Sequence, residues 1–146
     1  MDNINKIVII GGGLAGCEAA YQISKFDINV DLYEMRPKVK TEAHQTKYLA
    51  ELVCSNSFRS DDKEYNAVGV LHEELRIADS LIMKTADNNK VPAGSALAVD
   101  RDDFAKEVNK TINSISNINI INQEVKNLNE FGDQIIIIST GPLTSR

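Results

Sequence analysis

The sequence has few cysteines, no long apolar run and no excess of positive charge. Its two cysteines, Cys17 and Cys54, cannot by themselves form a four-ligand zinc site, and they are typical of reduced thiols in a cytoplasmic protein. No apolar run approaches the roughly 18 residues that would span a bilayer, so we expect no membrane-spanning helix. Residues 1–6 lack the basic and then apolar pattern of a secretory leader, so we expect no secretory signal.

The charge balance is acidic. Across 146 residues, 21 Asp or Glu stand against 16 Lys or Arg, which gives a formal net charge of −5. This balance argues against a protein that coats nucleic acid and leaves room only for a local basic patch. Hydrophobic residues make up 42%, which is enough to bury a core. The length suits one domain, since domains usually run roughly 100–200 residues.

The first 34 residues predict a βαβ unit. Residues 4–10 are rich in β-branched side chains, which is typical of a strand buried on both faces of a parallel sheet. Residues 14–25 have helical composition, and residues 28–33 alternate apolar and polar side chains as a second strand does. Because the crossover between the two strands is short, we expect the strands to be parallel.

Beyond residue 34, the sequence pattern is weak at first and then becomes periodic again. Residues 35–66 predict a long excursion with one short helix near Ala50, and loops of this length are usually functional or disordered. Periodicity predicts a helix over 67–86 and another that follows Asp100, its capping residue, with Asp103 as a first-turn acid. The apolar face of the first helix is formed by Val68, Leu71, Leu75, Ala78 and Ile82. The apolar face of the second is formed by Phe104, Val108, Ile112 and Ile115. Further strands are predicted at 96–99, 118–121, 124–128 and 135–138.

A glycine-rich loop follows the first predicted strand and satisfies G-x-G-x-x-G. Its residues are Gly11, Gly12, Gly13, Leu14, Ala15 and Gly16. In this motif the first glycine permits a tight turn, the second lets a pyrophosphate approach the backbone, and the third lets the helix pack on the sheet. Glu34 ends the second strand, 18 residues after Gly16, where an acid hydrogen-bonds ribose hydroxyls. The pattern predicts a site for FAD or NAD rather than NADP. The alternative is a glycine-rich turn without a ligand.

The C-terminal segment is compatible with a flavin site. Residues 135–142 predict a buried strand that ends in a small-residue turn, Ser-Thr-Gly-Pro. In flavoproteins with two dinucleotide-binding domains, a similar strand and Ala-Thr-Gly turn packs beside the cofactor. An ordinary connection between a strand and a loop explains the segment equally well.

Several longer segments resemble the TrmFO family of folate- and FAD-dependent tRNA (uracil-5-)-methyltransferases. These segments are Glu-Met-Arg-Pro at 34–37, Ala-His-Gln-Thr at 43–46, Ala-Glu-Leu-Val-Cys-Ser-Asn-Ser at 50–57, Val-Pro-Ala-Gly at 91–94 and Thr-Gly-Pro-Leu-Thr-Ser at 140–145. The resemblance covers essentially the whole chain. The MnmG family of tRNA wobble-uridine flavoproteins shares the opening Gly-Gly-Gly-x-Ala-Gly-Cys-Glu-Ala-Ala, but it lacks the first and third of these segments and is the poorer match.

The resemblance implies an α/β fold: a Rossmann-like FAD-binding domain with a parallel sheet, in an incomplete two-dinucleotide-binding flavoprotein fold. Residues 1–146 are then the N-terminal part of that domain, with the remainder of the family's chain absent. The implied enzyme is cytoplasmic and methylates C5 of uridine 54 in the T-loop of tRNA. Methylenetetrahydrofolate is the carbon donor, NAD(P)H reduces FAD, and reduced FAD is carrier and reductant. Because family members are several hundred residues long, the alternative is an inactive or merely nucleotide-binding fragment.

By resemblance, Cys54 is the catalytic cysteine that adds to the uracil, while residues 11–16, Glu34 and Arg36 bind the cofactor, and no metal is expected. A reactive thiolate requires nearby positive charge or a helix N-terminus, and His44 and Arg59 are the local candidates. Without the resemblance, the favoured interpretation of Cys54 is a small buried thiol. Cys17 is interpreted as packing between the first helix and the sheet.

The segment 36–47 carries a local charge of +3. Its charged residues are Arg36, Lys38, Lys40, Glu42 and Lys47. This charge would suit tRNA phosphate or the cofactor, and a solvated loop is an equal alternative. On the helix at 67–86, His72 is interpreted as a surface or packing histidine, because its i+4 neighbour is Arg76 and no metal pair forms. We expect Glu73, Glu74 and Arg76 to form the solvated face of that helix.

Overall fold

The computed structural model describes residues 4–145, which form a parallel sheet, a smaller antiparallel sheet and four α-helices. The strands are β1 (Lys6–Ile10), β2 (Asn29–Glu34), β3 (Ser57–Ser60), β4 (Lys90–Val91), β5 (Ala96–Val99), β6 (Ile118–Asn122) and β7 (Ile135–Ile138). The helices are α1 (Leu14–Ser24), α2 (Ala67–Ile77), α3 (Leu81–Asn88) and α4 (Arg101–Ser114), with a 3₁₀ turn at Leu128–Phe131. None of the helices in this described part is long and apolar enough to cross a membrane.

The larger sheet has the strand order β6-β2-β1-β7, and all of its pairings are parallel. In the centre, Ile7 of β1 lies opposite Val30 on β2 and Ile135 on β7. The predicted βαβ unit is therefore confirmed, with each strand boundary within two residues of the prediction. The α/β class and the Rossmann-like parallel sheet are confirmed as well.

Alternate residues of β1 face two different hydrophobic clusters. Ile7 and Ile9 belong to the main core between the sheet and the helices, together with buried residues of α1, α3, β5 and α4. Val8 and Ile10 pack on the other face with Phe131 of the 3₁₀ turn. Because β1 is apolar on both faces, it must lie inside the sheet, as its composition predicts.

The single helix predicted over 67–86 is wrong, because the chain forms α2 and α3 with a break between them. Asp79 has φ +54°, which no helix can continue through. Ser80 then caps α3 by accepting a hydrogen bond from Met83 N–H. The Glu18 carboxylate of α1 accepts further bonds from Ser80 Oγ at 2.8 Å and Ile82 N–H at 2.9 Å. A distant acid thus satisfies the new helix end, and sequence periodicity cannot show such a contact.

This break changes which residues are buried. Ile82 is buried and Leu75 packs against the main core, as predicted, but Leu71 is 51% exposed and Ala78 is also exposed. The prediction of Leu71 and Ala78 as core residues is therefore wrong. By contrast, the predicted cap of α4 is confirmed, since the Asp100 carboxylate accepts from the N–H groups of Asp102 and Asp103 at 3.0 Å.

Three other local predictions are wrong. Residues 135–138 form a strand, but it is the edge of the sheet rather than a buried strand, and Ile138 is 61% exposed. Residues 124–128 form no strand, and Leu128 is the first residue of the 3₁₀ turn. Near Ala50 the chain makes a turn rather than a helix, with Ala50 at φ +52°. For residues 124–128 and 135–138, tertiary placement overrides the local apolar pattern.

The long excursion contains β3, which sequence analysis missed. It pairs antiparallel with β5, which in turn pairs with β4. A four-residue segment with the sequence Ser-Phe-Arg-Ser carries little strand signal by itself. The tilted packing of Phe58 on Phe104, with ring centroids 5.6 Å apart, supplies the tertiary contact that stabilises it.

A cluster of ion pairs and hydrogen bonds centred on Asp61 fastens α2 to the antiparallel sheet. Asp61 contacts His72 Nδ1 at 3.0 Å, Arg76 Nη2 at 2.8 Å and Lys90 Nζ at 3.3 Å. His72 is buried, so the packing interpretation is the correct one of its two alternatives. Arg76 was expected to be solvated, but it is half-buried and also pairs with Asp87. Burial alone would raise the pKa of Asp61, but hydrogen bonds from Arg76 and His72 outweigh it and lower the pKa.

Candidate dinucleotide-binding site

A cavity of about 530 Å³ opens at the carboxyl ends of the parallel strands. Its lining comes from the glycine loop after β1, the end of β2 and the segment that follows it, residues 123–125 after β6, and residues 139–145 after β7. Open α/β sheets bind ligands at this edge. The predicted cofactor residues Gly11, Gly12, Gly13, Leu14, Ala15, Glu34 and Arg36 all line this cavity. Gly16, the remaining one, lies behind it in α1. Residues 123–125 also line the cavity, but no sequence motif marks them and they were not predicted.

The glycines of the loop have different physical roles. A Cβ at Gly16 would lie 1.8 Å from Gly11 O, and one at Gly11 would lie 2.5 Å from Ser139 O. A Cβ at Gly12 would meet Leu49 Cδ2 at 2.5 Å. These three positions exclude side chains because the fold packs against them. At Gly13 a Cβ would meet no atom of residues 4–145 within 4 Å, so the open space there belongs to the cavity.

The N-terminus of α1 faces the cavity without a side-chain cap. Its N-cap is Gly13, and no acidic residue lies in its first turn. The other three α-helices are capped by Asn66, Ser80 and Asp100. A helix start of this kind offers unpaired N–H groups and a partial positive charge, which together suit a phosphate.

Glu34 lies beneath the glycine loop and accepts four hydrogen bonds. Its Oε2 accepts from Gly12 N–H at 3.0 Å and Arg36 Nη2 at 3.2 Å, and its Oε1 accepts from Arg36 N–H and Nε at 3.0 and 2.9 Å. Burial alone would raise the pKa of Glu34, but the hydrogen bonds and charge of Arg36 and the Gly12 N–H lower it below its usual value. The carboxylate is therefore ionised at neutral pH and holds the loop in place.

Arg36 joins Glu34 to Glu51, a residue that sequence analysis did not single out. Its guanidinium is 3% exposed and donates from Nη1 to Glu51 Oε2 at 2.8 Å. Glu51 Oε1 accepts in turn from the N–H groups of Gln45 and Thr46 at 2.8 and 3.0 Å. These bonds fasten the segment after β2 to the cavity wall. The expected contribution of Arg36 to a free basic patch is therefore wrong, whereas Lys38, Lys40 and Lys47 are exposed.

Among the described residues, no hydrogen bond joins Cys54 to His44 or Arg59, its predicted activators. Cys54 is exposed, and Val53 beside it lines the cavity. Within residues 4–145, the Cys54 thiol has no hydrogen-bond or ion-pair partner. His44 lines the cavity and shares a hydrogen bond of 2.9 Å between Nδ1 and Thr41 Oγ1. Burial, followed by the charge of Arg36, lowers the pKa of His44 and favours neutral imidazole. Arg59 is exposed on β3, at φ +72°.

Cys17 has the packing role expected of it. Its side chain is fully buried in the main core, and its Sγ donates to Gly12 O at 3.4 Å. Burial and then the charge of Glu34 raise the pKa of this thiol to about 12. Cys17 is therefore protonated and unreactive at neutral pH.

The turn after β7 lies directly against the glycine loop. Ser139 Oγ donates to the carbonyl oxygens of Ile10 and Gly11, both at 3.0 Å. Thr140 and Gly141 line the cavity beyond it. The small-residue turn is thus part of the site wall, although its strand is an edge strand rather than a buried one.

The fold and the cavity define a Rossmann-like α/β protein with a dinucleotide-type loop. The sequence model of the family described as glucose inhibited division protein A matches residues 6–146. The chain belongs to this family.

Relatives named methylenetetrahydrofolate–tRNA-(uracil-5-)-methyltransferase TrmFO confirm the resemblance seen in the motifs. The chain is 62% identical to the protein from Bartonella henselae over 139 residues, covering 95% of this chain and 30% of that protein. Identity is 57% over 144 residues with the protein from Jannaschia sp., covering 99% and 31%, and 55% over 142 residues with the protein from Lactobacillus johnsonii, covering 97% and 32%. The chain thus spans about a third of the length of these curated relatives.

Among solved structures, the chain is similar to one titled "Crystal structure of MHPCO, Y270F mutant". The TM-score is 0.45 at 10% sequence identity, and the alignment covers 81% of this chain and 32% of the other.

Proposed function

We propose that the cavity binds the ADP half of FAD. The observation that carries this proposal is the open space at Gly13 beside the uncapped start of α1. A pyrophosphate there would accept hydrogen bonds from free N–H groups and would meet no side chain. The residues present fit the group, since the flanking glycines keep the loop close to the sheet and leave its outer side clear.

Glu34 would bind the adenosine ribose through its Oε2. All four of its acceptor positions have protein donors, so a ribose hydroxyl must replace one of them. The 3.2 Å contact from Arg36 Nη2 is the longest of the four. If the hydroxyl replaces this contact, Glu34 keeps its bonds to Gly12 and to the rest of Arg36. An ionised carboxylate at this place would repel the 2′-phosphate of NADP.

The enzymatic proposal rests on the TrmFO relatives. We infer that this chain contributes the cofactor-binding end of a cytoplasmic enzyme that methylates C5 of uridine 54 in tRNA. Bound FAD would supply the redox chemistry, with NAD(P)H as its reductant and methylenetetrahydrofolate as the carbon donor. The protein's own residues would hold the ADP end of FAD. The glycines would leave the path of the pyrophosphate free of side chains, and Cys54 would present a thiol near the mouth of the cavity.

Cys54 would be the nucleophile toward uracil. Its thiolate would form a bond to C6, and the electron pair of the C5–C6 double bond would move toward C5 and O4, which makes C5 nucleophilic. Exposure of the thiol supports this role, because a base in tRNA can reach it. The exposed Lys38, Lys40 and Lys47 would contact tRNA phosphate from the same excursion.

Ligand titration of the 146-residue chain tests the cofactor proposal. Isothermal titration calorimetry with FAD, ADP, FMN and NADP separates the two ends of the flavin. We expect ADP and FAD to bind and to compete with each other, and FMN and NADP to bind more weakly. Binding of FMN in place of ADP, or equal binding of NADP and ADP, would contradict the proposed site. If none of the four ligands binds, the proposal is wrong and residues 11–16 are a glycine-rich turn that binds no ligand.

A further inference from the structure

Cys54 lies on a turn that is fastened on both sides. On the amino side, Ala50 N–H donates to Gly12 O at 2.9 Å, and Glu51 is held by Arg36. These contacts tie the start of the turn to the glycine loop and to the cavity wall. Between the two fastened ends, Val53 lines the cavity and Cys54 is exposed.

On the carboxyl side, Asn56 and Val99 exchange two hydrogen bonds. Val99 N–H donates to Asn56 O at 2.9 Å, and Asn56 Nδ2 donates to Val99 O at 3.0 Å. Val99 is fully buried at the end of β5, so it is a rigid point of attachment. The second bond depends on the side-chain amide, because Asn56 lies one residue before the start of β3 and its main chain does not make that bond.

We propose that Asn56 is a positioning residue that holds the Cys54 turn against β5, at the mouth of the cavity. The restraint on the turn is independent of the proposed function. Only the reaction that the thiol would perform rests on the proposed function. An exposed thiol that must meet a tRNA base needs a fixed location, since reaction rates depend steeply on the orientation of the reacting groups. The side-chain amide of Asn56 supplies that restraint, two positions after Cys54 in the chain.

The two cysteines make a direct test feasible. A thiol-specific nitroxide label should react with Cys54 alone in the folded chain, because Cys17 is buried. Electron paramagnetic resonance of the labelled chain then reports the motion of the turn. Three variants are compared: Asn56→Ala, which removes the amide; Asn56→Asp, which keeps its size but not its donor; and Asn117→Ala. Asn117 is the matched control, since its Nδ2 donates to Ser24 O and Ile28 O at 3.0 Å near the opposite ends of the strands.

We expect a motionally restricted component in the unaltered chain and in Asn117→Ala, and its loss in both Asn56 variants. The proposal is overturned if the restricted component is absent from the unaltered chain, survives in Asn56→Ala, or disappears equally in Asn117→Ala. It is also overturned if both Asn56 variants fail to fold while Asn117→Ala folds, since Asn56 would then serve the whole fold. The failure of the proposed function can be told apart from the failure of this proposal. If the component is lost in the Asn56 variants while Cys54→Ser transfers methyl groups fully in an active chimera, Asn56 restrains the turn but Cys54 is not the nucleophile.

Discussion

The backbone N–H of Gly12 donates a 3.0 Å hydrogen bond to Oε2 of Glu34. This bond joins the first turn after β1 to the last residue of β2, 22 positions along the chain. It holds the glycine loop against the end of the sheet and leaves Gly13 facing the cavity. The acid that sequence analysis assigned to the ribose therefore also shapes the loop that would receive the pyrophosphate.

Gly13→Val should strongly weaken FAD binding while leaving the fold intact. Its Cβ would enter open space rather than protein, so the branched side chain would occupy the path of the pyrophosphate. We expect flavin affinity to fall at least about tenfold, which is ~1.4 kcal/mol, with little change in thermal stability. Calorimetric titration measures the affinity, and circular dichroism follows unfolding. Ala67→Val, on the exposed first turn of α2, is the control of similar bulk. Equal affinity in the two variants would refute the assignment.

Acidification should destabilise the chain partly through Glu34. Its pKa is lowered in the folded state from an ordinary value of 4.5. Its contribution is therefore fully present above that value and is lost as the pH falls through the folded-state pKa. Glu34→Gln should be less stable than the unaltered chain at pH 7, and the difference should narrow as the pH falls below about 4.5. Urea unfolding from pH 7 to pH 3 measures this, and a constant difference would contradict it.

The two thiols should react at very different rates. Cys17 is fully buried with a pKa raised to about 12, whereas Cys54 is exposed. A disulfide reagent at pH 8 should therefore modify one thiol rapidly in the folded chain and both in urea. Peptide mapping identifies the modified residue. Rapid modification of Cys17 under native conditions would show that the main core opens more readily than its packing indicates.

Cys54→Ser should remove methyl transfer without removing the flavin. The test protein is a chimera that joins residues 1–146 to the remaining two thirds of the Bartonella henselae relative. Serine keeps the shape of the side chain but is a much weaker nucleophile, and Cys54 lies outside the cavity lining. The variant should retain the flavin content of the unaltered chimera and form no 5-methyluridine in unmodified tRNA. Product at the unaltered rate would exclude Cys54 as the nucleophile.

Asp61→Ala should cost the fold about 2 kcal/mol, because it removes hydrogen bonds to charged groups and leaves Arg76 and His72 without a shared partner. Lys106→Ala is the control, since it removes an exposed ion pair with Asp103 and should change stability far less than Asp61→Ala. Urea unfolding of both variants measures the difference. If the two losses were equal, the Asp61 cluster would contribute no more than an ordinary surface pair.

The sequence by itself determined the βαβ unit, the glycine loop and the acid that follows β2. These features depend on local requirements: β-branched residues favour strands, glycine permits a turn that other residues resist, and a short crossover requires parallel strands. The cap at Asp100 was predictable for the same reason, because a side chain satisfies main-chain N–H groups only two and three residues away. The family resemblance was likewise carried by contiguous segments.

Only the tertiary structure decided the features that depend on distant partners. Glu18 satisfies the start of α3 from another helix, which allows the chain to break at Asp79 where periodicity predicted one helix. Glu51 fixes Arg36 in the cavity wall and removes its charge from the predicted basic patch. Among residues 4–145, β7 pairs only with β1, so Ile138 lies exposed despite its apolar side chain. Local propensity carries no information on such partners, since burial and pairing are set by contacts between segments far apart in the chain.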